Sequence, residues 1–348
     1  MAAAVPGLDQ AAAYLADCVA TGLLPSAVLE IGRADQVLGR CACASRDDAV
    51  YDLASLTKVL ATGLIAARLV AQRRLDLDTP VTDLVFEWRR PDRLDVRVRD
   101  LLVHASGLPA HLPLYEQHQG ADDVVAASAD ADLVSVPRRA AIYSDLGFVV
   151  LGRALERASG LPLAAQLRAL VGEATGAPLG FAPVADGQVI QPTGHSAWRG
   201  RDLVGEVHDD NAAAMGGVAG HAGLFGSAHA VGDLARHVLG GLRGKDTILA
   251  PSWVLRAFSR RSAVPGSSRA LAWDTALPTS SCGACLSDRA IGHTGHTGTS
   301  VWIDPARDRY VVLLTNRVAG AATSHDMLRI RRHVHQLLAA SWRGASHG

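Results

Sequence analysis

Lysine is nearly absent from this 348-residue chain. It occurs only at Lys58 and Lys245, and the other 32 of the 34 basic residues are arginines. Ordinary surface charge is therefore arginine's task, and a lysine kept in that background points to a property arginine lacks: a desolvated ammonium can give up its proton. Net charge is absent too. With 34 acidic residues against 34 basic ones, 49% hydrophobic and 20% charged content, nothing suggests a disordered, fibrous or nucleic-acid-binding protein. Cysteine is scarce and odd in number, at Cys18, Cys41, Cys43, Cys282 and Cys285, which fits reduced thiols better than a disulfide framework. No apolar run is long enough to cross a bilayer, since the 59–71 stretch is short and broken by Arg68. The first residues carry no basic segment followed by an apolar core, so a soluble, cytoplasmic protein is expected. Internal repeats and low-complexity linkers are missing as well.

Lys58 is present three residues after Ser55, within Tyr51-Asp-Leu-Ala-Ser55-Leu-Thr-Lys58. The apolar residues that follow, through Ala71, predict a buried helix opening near Ser55. Residues three apart on a helix share a face, so hydroxyl and amine can meet. A serine needs a nearby base to become a nucleophile, and a desolvated lysine can serve. A helix-capping serine beside an unrelated lysine is the competing reading.

Periodicity predicts a helix over 8–22, strands over 27–32 and 36–44, and a hairpin of strands 299–304 and 310–316 around Pro-Ala-Arg-Asp-Arg. A last amphipathic helix over 326–342 follows. Between about Asp76 and Gly220 the text is helical or irregular. The economical arrangement is one antiparallel sheet assembled from both chain ends and flanked by helices. Residues 1–75 and 225–348 would form an α/β lobe, and 76–224 an inserted, mainly α-helical lobe, with a ligand cleft between them.

Two further segments bear on chemistry. Ala141-Ile-Tyr143-Ser144-Asp145 precedes an apolar helix that Ser144 or Asp145 would cap. Gly292-His293-Thr294-Gly295-His296-Thr297-Gly298-Thr299 leads into a strand, where glycines let backbone N–H groups approach a ligand. The ordered set Ser55-x-x-Lys58, Tyr143-Ser144-Asp145 and His293-Thr294-Gly295 resembles the three-motif signature of the serine β-lactamase and penicillin-binding-protein superfamily. The tyrosine in the second motif resembles class C β-lactamases, D,D-peptidases and family VIII carboxylesterases. So do Val98-Arg-Asp-Leu-Leu-Val-His104-Ala-Ser106-Gly107-Leu-Pro109, the 216–225 phrase Gly216-Gly-Val-Ala-Gly220-His221-Ala-Gly-Leu-Phe225, and Leu313-Leu-Thr-Asn316-Arg317. The likeness runs from about residue 20 to 340.

The resemblance implies a β-lactamase/transpeptidase-like α/β (α+β) fold. Ser55 would be the acylated nucleophile, Lys58 its base and Tyr143 the proton shuttle. Asp145, His293, Thr294, Gly295 and His296 would bind substrate, with the backbone N–H groups of Ser55 and His296 as the oxyanion hole. It implies no metal and no organic cofactor. Two positions depart from the superfamily's usual text. Asp145 stands where β-lactamases usually carry asparagine; an ionised carboxylate cannot donate to a substrate carbonyl, and it could hold Lys58 as a cation. His293 stands where lysine usually attracts a substrate carboxylate, and a neutral imidazole anchors an anion weakly.

Other polar residues have plainer readings. The Cys41/Cys43 and Cys282/Cys285 pairs could ligate zinc, but their spacing is not that of a zinc ribbon. His208, Asp209, Asp210 and His221 could be metal ligands or a base with its orienting acid, against the commoner backbone-held loop histidine. His104 and His111 read as structural, and Trp302 as core or cleft wall. The expected function is an intracellular serine hydrolase acting through an acyl-enzyme on small-molecule ester, amide or β-lactam substrates, without nucleic-acid or membrane partners. The alternatives are D,D-peptidase or D-amino-acid peptide hydrolysis, acyl transfer, and a slowly deacylating β-lactam sensor.

Overall fold

Strand segments near both ends alternate in the side chains they send to each face, and that alternation builds the central sheet. The computed structural model describes residues 7–181 and 187–340. Six antiparallel strands lie in the order β2-β1-β11-β10-β9-β8: β1 Ala27–Gly32, β2 Val37–Cys43, β8 Asp274–Thr275, β9 Ile291–Thr294, β10 Ser300–Asp304 and β11 Arg309–Thr315. The register of β1 on β11 runs from Ala27↔Thr315 to Gly32↔Tyr310. Ala27, Leu29, Ile31, Val311 and Leu313 face one way, onto α1 (Leu8–Ala20) and the C-terminal helix. Val28, Tyr310, Val312 and Leu314 face the other way, into the larger core. Both faces are covered, so the strands read as continuous apolar runs rather than alternating ones. Each fully buried aliphatic side chain contributes about 1.5–3 kcal/mol, and these two layers hold the chain ends together. The hairpin between β10 and β11 is fixed by buried Asp304, whose Oδ1 accepts the Ala306 N–H at 3.1 Å.

The remaining helices, in chain order, are α2 (Leu64–Ala71), α3 (Val81–Leu84), α4 (Val98–Leu102), α5 (Ala121–Asp130), α6 (Asp145–Ser159), α7 (Leu163–Ala174), α8 (Asp210–Ala214), α9 (Ala228–Leu242), α10 (Ser252–Phe258) and α11 (Ser324–Ala340). No helix among the described residues is long and apolar enough to cross a membrane. The expected end of the last helix at Trp342 lies outside the described residues.

Two local features add detail to the expectations. The helix after Ser55 is not α-helical at its start: Lys58–Gly63 is a π-helical turn that passes into α2. Such turns insert an extra residue per turn, and they concentrate at functional sites. The stretch 76–224 is not purely helical either. It contributes β4 Leu179–Phe181, which joins β3 Tyr51–Asp52 and β7 Leu224–Gly226 in a small sheet, and the hairpin β5 Pro192–Ser196/β6 Arg201–Val204. These strands are only three to five residues long, too short to show an alternation.

Candidate active site

The turn that carries Ser55 is clamped before the helix begins. The Asp52 carboxylate at the end of β3 accepts the Ala54 N–H at 2.8 Å and the His208 N–H at 2.7 Å. From the other side, Thr297 and Thr299 donate their hydroxyls to the Asp52 and Leu53 carbonyls at 2.7 and 3.1 Å. Burial pushes the Asp52 pKa up to about 6 despite those accepted hydrogen bonds. Ala54 is held at φ 47°, a left-handed conformation that costs a non-glycine residue energy and persists only where neighbours enforce it. Ser55 is thereby thrust into a cavity of about 790 Å³.

Lys58 lies completely buried one turn on, with three oxygens around its Nζ. Ser55 Oγ is at 3.0 Å, the His221 carbonyl at 3.0 Å and Asp145 Oδ1 at 2.7 Å. The Tyr143 ring lies 4.9 Å from the same nitrogen. Burial alone works to lower the Lys58 pKa, but Asp145 and Tyr143 outweigh it, and the net direction is upward. Desolvation by itself therefore does not free the amine, and Asp145 holds Lys58 as an ammonium. The same pair keeps the Asp145 carboxyl ionised: burial raises its pKa, while Lys58, His111 and His221 drive it well below the usual carboxylate range.

Tyr143-Ser144-Asp145 reaches this point because Ser144 caps α6, accepting the Gly147 N–H at 3.1 Å. His104 supports the turn. It is buried at φ 59°, its Nδ1 accepts the Ser144 N–H at 3.0 Å, and its ring packs between Tyr143 and Phe148 at 4.6 and 4.8 Å. His111, read as structural, instead stands half-exposed in the cavity wall, with Nδ1 3.9 Å from Asp145 Oδ2.

The third motif forms the opposite wall. Gly295 has no room for a side chain, since a Cβ there would lie 2.1 Å from Thr299 Oγ1 and 2.7 Å from the Leu53 carbonyl. This close approach lets the 295–299 turn sit against the Ser55 loop. Neither the Ser55 nor the His296 backbone N–H is hydrogen-bonded within the described residues. His293 is buried; its Nδ1 lies 2.9 Å from the Thr294 carbonyl and its Nε2 3.4 Å from Arg269 Nη1. Donation from Nδ1–H and acceptance at Nε2 is the tautomer that serves both partners. Burial, Arg269 and Lys58 all push its pKa down, so the ring is neutral at pH 7.

Arg269 is the residue that sequence reasoning missed. Its guanidinium lines the cavity, lies 4.9 Å from the Tyr143 ring and has no acidic partner among the described residues. A cation thus stands beside the third motif although His293 itself carries none. Nothing in Ser267-Ser-Arg269-Ala-Leu marks it out from 31 other arginines.

The remaining candidates fall into place around this core. His221 is buried and its Nε2 pairs with Asp209 Oδ1 at 2.9 Å, while Asp209 also caps α8 through the Ala212 N–H. His208 stacks on His296 at 5.5 Å. Trp302 is both core and cleft wall: it is buried and donates to Ser281 Oγ at 3.0 Å. No disulfide joins the cysteines, and no cluster of three potential metal ligands occurs, among the described residues.

Comparison with known proteins bears on the fold and the family. Among solved structures, the fold is similar to the simvastatin synthase of Aspergillus terreus (TM-score 0.74, 17% identity, 99% of this chain and 100% of that one). It is also similar to a β-lactamase of Mycobacterium bovis (TM-score 0.64, 20% identity, 94% and 98%). A third, EstCE1, described as a hydrolase with promiscuous acyltransferase activity, aligns with TM-score 0.67 at 20% identity over 94% and 98%. In sequence, the chain is 30% identical over 305 residues to a Salmonella gallinarum protein named "Putative D-alanyl-D-alanine carboxypeptidase", covering 77% of this chain and 69% of that protein. The β-lactamase family matches residues 11–336, nearly the whole chain. The three motifs, the two-ended sheet and this match together place the chain in the β-lactamase family.

Proposed function

We propose that this member of the β-lactamase family is a serine hydrolase that works through an acyl-enzyme at Ser55 on small ester or amide substrates. The observation that carries the reading is Ser55 Oγ, 3.0 Å from a lysine buried beneath it and open to the cavity above. In the reaction, Oγ bonds to the substrate carbonyl carbon and its proton passes to Lys58 in the free-base form. Tyr143 returns a proton to the leaving group as that bond breaks, and water then displaces the acyl group from Ser55. The unengaged N–H groups of Ser55 and His296 are suited to the developing oxyanion.

A second reading is favoured by Arg269. A guanidinium 3.4 Å from the third-motif histidine suits a substrate with a carboxylate beside the scissile bond, as in a peptide ending in a D-amino acid or a penicillin. On this reading the weak anchoring expected of His293 is made good by a neighbour. A fluorophosphonate probe should add its mass to the peptide containing Ser55, and Ser55→Ala should abolish both labelling and turnover. Labelling that persists in the alanine variant would sink the assignment. Nitrophenyl esters, a chromogenic cephalosporin and D-Ala-D-Ala peptides assayed side by side then separate the two readings.

A further inference from the structure

Arg331 lies on the amphipathic helix α11, yet the side chain is buried with only 8% of the residue exposed. Its guanidinium donates from Nη2 to the Gly295 carbonyl at 3.1 Å and to the Thr299 carbonyl at 2.9 Å, and its Nε has no partner. No carboxylate lies within ion-pair distance of it among the described residues. The one charged group that acts on it, Arg317, is basic, and the pKa of its buried helix neighbour His335 is pushed down to about 3, so that ring stays neutral. A buried, uncompensated cation costs several kcal/mol, so its retention calls for a return.

Holding the turn is not a sufficient one. The 295–299 turn is already closed by its own backbone, through Gly295 N–H to the Thr299 carbonyl at 2.7 Å and Gly298 N–H to the Gly295 carbonyl at 3.1 Å. The bond from Arg331 has a different consequence. The Gly295 carbonyl and the His296 N–H belong to one peptide unit, and a positive donor at the oxygen draws charge through the conjugated C–N bond and makes the N–H more acidic.

We infer that Arg331 is a positioning residue for carbonyl activation: its guanidinium polarises the Gly295–His296 peptide, so that the His296 N–H binds a developing oxyanion more strongly. The inference rests on the acyl-enzyme reading above. Arg331 also lines the cavity; in the role inferred here it acts through the peptide whose carbonyl it binds.

The test follows acylation of Ser55 by a nitrophenyl ester and by a fluorophosphonate, from pH 6 to 10, in the parent chain and in Arg331→Gln and Arg331→Lys. Removing an oxyanion donor outright costs about 10²–10³-fold. A donor retained but no longer polarised should lose about tenfold in the Arg331→Gln acylation rate, with KM within about twofold, since the effect belongs to the transition state. In Arg331→Lys the buried amine lacks a counter-ion and titrates below the ordinary lysine range. Its rate, divided by the parent's at each pH, should therefore recover as pH falls, whereas the Arg331→Gln ratio stays flat. A merely structural role moves no such ratio. Variants that react at the parental rate, or slow together without recovery at low pH, overturn the inference. Variants that lose their cooperative thermal transition assign Arg331 to the scaffold and overturn it as well. A parent that does not label at Ser55 sinks the acyl-enzyme reading and this inference together. A labelled parent with unaffected variants sinks only this one.

Discussion

The wall that carries Ser55 and the wall that β9 brings opposite both bury positive charge, and they manage it differently. On the first, Lys58 faces a carboxylate at 2.7 Å and a hydroxyl at 3.0 Å, groups that can exchange protons with it. On the second, Arg269 meets a neutral imidazole and Arg331 meets two carbonyls, and a guanidinium does not deprotonate. One wall is equipped to move protons and the other to keep a constant field while they move. On the proposed mechanism the near-absence of lysine has a local meaning: the mobile charge is lysine, and the fixed ones are arginine.

Exchanging the charge types gives the largest expected effect. Lys58→Arg keeps the cation but removes the accessible free base, so kcat should fall by about 10²–10⁴-fold. Near-normal kcat in this variant would show that a constant charge suffices on both walls. Second, Asp145→Asn removes the group that holds Lys58 protonated. The Lys58 pKa then falls, and the rise of kcat/KM with increasing pH should move to lower pH; an unmoved profile would break the pairing argument. The same change leaves a buried ammonium without its counter-ion and should cost about 3–5 kcal/mol of stability. The sign with pH follows from the depressed Asp145 pKa. Its contribution is present above the unfolded value of about 3.9 and is lost as pH falls through the folded one, so urea unfolding of the asparagine variant should depend less on pH below about 4. Third and smallest, Arg269→Ala should raise KM for a carboxylate-bearing substrate by about 10–100-fold, the worth of a hydrogen bond to a charged group. Hydrolysis of a neutral nitrophenyl ester should stay within about twofold. Equal losses on both substrates would mean that Arg269 shapes Tyr143 rather than binding an anion.

The proton-moving wall was the more legible in the sequence. Ser55, Lys58, Tyr143 and Asp145 sit in short motifs at helix starts, where spacing dictates which side chains meet. Four of the six strands, β1, β2, β10 and β11, were legible because their runs are bounded by turns, whereas β8 and β9 were not. The fixed-charge wall was not. Arg269 comes from an irregular segment, and its place beside His293 follows from the path of the chain, not from local spacing. Arg331 was hidden by the usual rule that arginine on an amphipathic helix faces water: the buried stripe of α11 runs Met327, Ile330, Arg331, Val334, His335 and Leu338. The hold of Asp145 on Lys58 was legible as a possibility from the second motif, and the 2.7 Å approach of the two groups sets its direction against burial.

The pairing of β1 with β11 also sets a timetable. Ser26 Oγ donates to Asn316 Oδ1, a partner 290 residues away, and the Ser55 loop is tied to Thr299 across 246 residues. During synthesis, a chain that has already made Ser55, Lys58 and Tyr143 still lacks the turn between β9 and β10 that clamps the serine turn and holds the His296 amide. A nascent chain that ends before Thr299 would carry Ser55 in a turn without the Thr297 and Thr299 clamps.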